Sequence, residues 1–239
     1  TGVVWILSLN IVILLLVLVS GIDSKMLLID RDKEIIFISS TVIRTSEFEK
    51  SLPKNAEIVY LSGQKSGIKQ MTEYLAARKE IDAIRIISHG NEGYFDLDGE
   101  MIDSKYIAEN GDIFRKWGKA LSENADIMLY GCKVAATDEG KALVKKLAEL
   151  TGADVAAATE LVGGLLANWT LDYKTGNIET AVLKIENYEF HLDREVTSNA
   201  DSGPGTLRQA ILDAYDWGET IYFSLEPGSE TITLTSELL

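Results

Sequence analysis

The chain has 239 residues, with 23 Lys+Arg against 37 Asp+Glu and a net charge of −14. That length suits one large or two small domains, and an acidic balance repels phosphate backbones, so nucleic acid is excluded as a partner. With one Cys and two His, neither a disulfide framework nor a Cys/His zinc cage is available; no cofactor and no metal are expected, although carboxylate sites for a hard cation stay open.

In chain order, the first segment, residues 1–24, carries no charge from Thr1 to Ile22. As a helix it reaches roughly 33 Å, close to the hydrocarbon thickness of a bilayer. A membrane anchor and a signal peptide both fit, the latter because Val19-Ser20-Gly21 offers small residues for cleavage. Either reading places the rest of the chain outside the cytoplasm. The membrane is then met only through this segment.

Residues 32–190 alternate between strand and helix. Strands are expected at Ile35–Ser39, Glu57–Leu61, Ala83–Ser88, Asp126–Tyr130 and Asp154–Ala158, from their β-branched and apolar runs. A short helix starts at Ser46 and stops before Pro53. Ile68, Met71, Leu75 and Ala76 mark a second helix, and Phe114, Trp117, Gly118 and Leu121 a third. Thr137 caps a fourth, with Asp138 and Glu139 in its first turn and Gly152 at its end. This alternation predicts an α/β fold: a doubly wound, mostly parallel sheet with helices on both faces. Near the end of the domain, Thr175-Gly176-Asn177 predicts a hairpin between Trp169–Tyr173 and Ile178–Ala181.

Two strand ends carry unusual residues. One strand finishes Ser88-His89-Gly90 and another Tyr130-Gly131-Cys132, so a histidine and the single cysteine both follow buried strands. In open α/β sheets, ligands bind beyond the carboxyl ends of the strands. If the two strands are neighbours, the His89 and Cys132 side chains emerge on the same edge of the sheet and can face one another, the imidazole as base or ion-pair partner of a thiolate. A free thiol is only about 3% ionised at pH 7, and an imidazole raises that fraction. The backbone N–H groups of Gly90 and Cys132 are the candidate oxyanion hole, and Gly90 and Gly131 are expected to turn the backbone sharply beside a substrate. The opposing reading is a buried, inert Cys132 and a His89 that merely hydrogen-bonds a loop. Glu92, Asp96, Asp98, Asp138 and Glu139 surround the site in sequence and would mildly favour a basic residue before the scissile bond, unless they are simply solvated or capping.

At these residues the sequence resembles the caspase-like cysteine peptidases, whose signatures are a His-Gly and a Gly-Cys pair after successive strands. From about Glu34 to Tyr173, including Phe37-Ile38-Ser39-Ser40, Ser88-His89-Gly90 and Leu129-Tyr130-Gly131-Cys132-Lys133-Val134-Ala135, it is similar to the DUF4347 domains found near the N-terminus of very large bacterial surface and secreted proteins. The resemblance implies a caspase-like fold, a cysteine endopeptidase activity with His89 as general base or acid, Cys132 as nucleophile and the Gly90 and Cys132 amides as oxyanion hole, and a secreted or cell-surface location, membrane-anchored if the leader is retained. A polypeptide, including the chain itself, is the implied substrate, and Arg194 is a cut site on the basic preference alone.

The tail, residues 195–239, changes character. Asn199–Gly205 is turn-rich. Thr206–Tyr215 has helical spacing, and Thr220–Phe223 and Thr231–Thr235 alternate as strands. Val196–Ile211 resembles the opening cap of right-handed parallel β-helices in bacterial adhesins, which implies the start of a solenoid. The sequence therefore leaves two functions open: a peptidase, or a non-catalytic structural or adhesive module facing a cell-surface partner.

Overall fold

The computed structural model describes residues 33–164, 169–188, 190, 192, 195, 196, 198–202, 206–214, 221–223, 225, 228 and 230–238. The expected leader or anchor lies outside them. So do His191, Arg194 and the loop at 203–205. Among the described residues no helix is long and apolar enough to cross a membrane.

The elements follow the sequence closely: β1 (Glu34–Ile38), α1 (Ser46–Ser51), β2 (Glu57–Tyr60), α2 (Gly67–Ala76) and β3 (Ile81–Ile87). Next come β4 (Gly90–Asn91), β5 (Tyr94–Leu97), β6 (Glu100–Asp103), α3 (Ser104–Glu109), α4 (Gly111–Gly118) and β7 (Leu121–Tyr130). The domain closes with α5 (Asp138–Thr151), β8 (Asp154–Ala157) and β9 (Tyr173–Lys174). Local chemistry sets these limits. Thr45, Ser66 and Thr137 each accept a backbone N–H at a helix start, and Gly152 ends α5 in the left-handed conformation that a side chain disfavours.

Six strands form the main sheet, in the order β2-β1-β3-β7-β8-β9, all parallel except the edge pair β8/β9. Central strands are buried on both faces, which is why they read as unbroken apolar runs. One face presents Ile35, Phe37, Ile84, Ile86, Ile127, Leu129 and Val155 to α2, α3, α4 and α5 through Met71, Ile107, Trp117 and Leu147. The other presents Ile36, Ile38, Ile87, Met128, Tyr130 and Ala156. Helices lie on both faces, but unequally. Among the described residues, α1 contributes Phe48 to this face, and Val162, Trp169, Leu171, Leu183, Ile185, Tyr188 and Leu192 supply further cover.

Polar groups on β7 fix that cover in place. Asp126 accepts from Glu179 N, Thr180 N and Thr180 Oγ1 at 3.1, 2.8 and 2.6 Å. Tyr130 Oη accepts from Leu183 N at 2.8 Å. Burial pushes the Tyr130 hydroxyl pKa up, so it stays a neutral anchor. Residues 178–181 therefore serve the Asp126 carboxylate instead of forming the expected hairpin strand; a buried carboxylate needs those donors more than an edge strand needs another partner.

One further expectation is corrected: Leu121 opens β7 and does not close the preceding helix. The connection after β3 holds an antiparallel β4-β5-β6 sheet as well as helices, with strands of only two to four residues that are too short to show a period.

In the tail, β10 (Glu195–Val196) pairs in parallel with β11 (Tyr222–Phe223), and α6 (Leu207–Ala214) intervenes. Residues 231–235 are not a strand. Thr235 instead engages Asp201, which also receives Arg208 Nη2 at 2.7 Å. The Thr235 hydroxyl, then Arg208, holds the Asp201 carboxyl down at about 2. A depressed carboxyl contributes stability that is present above its unfolded value near 4 and disappears as pH falls through the folded value. An NMR titration should therefore place the Asp201 midpoint near pH 2, and Arg208→Ala should move it upward.

Candidate active site

Parallel order fixes which loops meet. The chain runs from β1 outward to β2, then crosses back to β3 on the other side of β1. This reversal opens a crevice at the carboxyl ends of β1 and β3, where α/β sheets bind ligands. Four strand ends converge there: Ser39–Thr41 after β1, Ser88–Gly90 after β3, Gly131–Cys132 after β7 and the residues following β8. The expectation that the His and Cys strands are neighbours holds, since β3 pairs with β7 through Ile87↔Tyr130, and Ser88 N donates to Tyr130 O at 3.0 Å.

His89 is half-buried, and its Nε2 lies 3.2 Å from the Thr41 main-chain oxygen. A carbonyl only accepts, so Nε2 carries a proton. Nδ1 is buried and has no hydrogen-bond partner, and an unpaired buried polar atom ordinarily costs about 1–3 kcal/mol. The residue that orients the imidazole is thus Thr41, through its backbone.

Cys132 is 1% exposed. Its Sγ receives Val162 N at 3.2 Å and donates to Val162 O at 3.5 Å. The next residue, Lys133, adopts a left-handed conformation at φ 54° and donates its N–H to Glu160 O at 2.9 Å. Two loops, after β7 and after β8, are thereby tied together around the thiol.

The two amides expected as an oxyanion hole do converge on one atom. Gly90 N donates to the Leu192 carbonyl oxygen at 3.1 Å, and Cys132 N donates to the same oxygen at 3.4 Å. Gly90 serves by close approach: a Cβ there would lie 2.8 Å from Val134 Cγ2 and 3.1 Å from Gly131 Cα. Neither Gly90 nor Gly131 has a positive φ, so the sharp-turn role expected of them is replaced by tight packing of two strand ends.

Of the acidic residues flanking the site in sequence, Asp98 reaches the crevice, where it accepts from Ser39 Oγ and Ser40 N at 2.8 and 2.7 Å. Asp96 is buried and closes a turn on Gly99 N. Asp138 and Glu139 sit in the first turn of α5.

The family described as Domain of unknown function (DUF4347) matches residues 35–192. This chain belongs to the DUF4347 family. No curated protein and no solved structure matches it. The DUF4347 span reaches Leu192, so the carbonyl held by Gly90 and Cys132 lies inside the domain and not in the tail.

The sequence marks the candidates that carry a chemical signature, His89, Cys132 and Gly90. It does not mark Thr41, Val162 and Leu192, which contact them through main-chain atoms that no side chain advertises. One signal was available. The pair Gly163-Gly164 lies where the chain passes Phe190, and a Cβ on Gly163 would sit 2.4 Å from Phe190 O at φ 86°.

Proposed function

We propose that this DUF4347 domain is a caspase-like cysteine peptidase whose substrate is a polypeptide, its own chain included. The observation that carries the reading is the shared Leu192 oxygen, bound by the amides of Gly90 and Cys132. Two converging N–H donors on one carbonyl, one of them belonging to the thiol-bearing residue, are what acyl transfer requires for a developing oxyanion. In the proposed mechanism His89 Nδ1 takes the Cys132 proton, with Thr41 holding the ring; the thiolate attacks the carbonyl carbon, and the imidazolium then protonates the departing amine. The N-terminal segment and the tail fit an exported surface protein in this reading, with the tail as the beginning of a β-helix.

A peptidyl acyloxymethyl ketone ending in leucine tests it. The expected result is an adduct on Cys132, found by peptide mass mapping, that is absent from His89→Ala. Because the chain covers its own thiol, a Leu192→Asp chain, with a carboxylate unsuited to the apolar seat, should label faster. Equal adducts with and without His89, or none in either chain, would overturn the reading.

The second reading, a non-catalytic structural module, draws on the 1% exposure of Cys132. It expects no ketone adduct in the native chain.

A further inference from the structure

The cover over the thiol is itself laid out as a substrate would be. Leu192 N donates to Val162 O at 2.9 Å, and Gly164 N donates to Phe190 O at 2.7 Å. These two bonds pair residues 190 and 192 with 164 and 162 in antiparallel register, the manner in which an extended peptide adds to a strand edge. Gly163 permits the approach, having no Cβ to strike Phe190 O. The Leu192 side chain is fully buried, in the cluster that also contains Cys132, Val162 and Tyr188.

Resting on the peptidase reading above, we propose that the Leu192–Asp193 bond of the chain is the scissile bond of the Cys132 site. The carbonyl polarised by Gly90 N and Cys132 N is that of Leu192, so attack by Sγ occurs at Leu192 C and not at Arg194, two residues further on. The Sγ proton passes to His89 Nδ1. The S–C bond forms, the Leu192–Asp193 C–N bond breaks, and His89 returns the proton to the leaving nitrogen of Asp193. Water then hydrolyses the Leu192 thioester, leaving a Leu192 carboxylate, a free Asp193 amine and the original thiol. The cut falls at the end of the span matched by the family, so it separates the domain from the tail and discards none of it.

The test is incubation of the purified full chain, beside Cys132→Ala and Gly163→Val, with intact mass and N-terminal sequencing as readouts. The expected result is a new N-terminus at Asp193 in the wild-type chain, complete loss of it in Cys132→Ala, and at least a tenfold slower appearance in Gly163→Val, whose side chain displaces the strand. Circular dichroism checks that each variant folds, and Leu192→Asp, which removes the apolar side chain from its buried seat, gives a second route to the same loss. A Cys132-dependent N-terminus elsewhere overturns this proposal and leaves the peptidase reading standing. Absence of any Cys132-dependent cut also overturns it, and the ketone adduct then decides separately whether the peptidase reading falls as well.

Discussion

His89→Ala is expected to slow acylation of Cys132 by about 10²–10⁴-fold, the range usual for removal of a positioned general base, or about 2.7–5.4 kcal/mol of barrier. Its stability should change little, because the ring is half-buried, makes one bond to Thr41 O and keeps Nδ1 unpaired. Measuring the adduct rate beside the urea midpoint separates base loss from misfolding. Equal adduct rates in two equally stable chains would show that His89 does not act on the sulfur.

The largest effect on stability is expected at Glu34. Its carboxylate pairs with Arg85 Nε across β1 and β3 on the face that carries Ile36, Met128 and Tyr130, and Arg85 is 3% exposed there. Arg85 Nη1 also donates to Tyr130 Oη at 3.0 Å. Glu34→Ala leaves a buried guanidinium without its counter-charge and should cost about 3–5 kcal/mol, read as a lower urea midpoint with unchanged slope. Glu34→Met with Arg85→Met together should recover most of that loss, since two apolar side chains avoid the desolvation cost that the ion pair incurs. A double variant as unstable as the single would mean that the Arg85–Tyr130 bond, and not charge isolation, is what matters. The consequence reaches the site, because Tyr130 both anchors Leu183 and directly precedes Gly131-Cys132.

The amino-acid order by itself determined the layered α/β core. Runs such as Ile35-Ile36-Phe37-Ile38 and Ile84 to Ile87 bury both faces of a parallel sheet, and Thr45, Thr137 and Gly152 fix helix ends by bonds made within a few residues. It also marked His89 and Cys132, because rare side chains at matched strand ends are visible without coordinates. Only the tertiary structure decided what stands around them. The second face is closed by a segment with no periodicity of its own, held by Asp126 and Tyr130 from more than fifty residues away. Thr41, Val162 and Leu192 enter the site through backbone groups that every residue possesses. Periodicity reports burial along one element. Which carbonyl reaches which amide depends on how distant segments pack, and no local pattern encodes that.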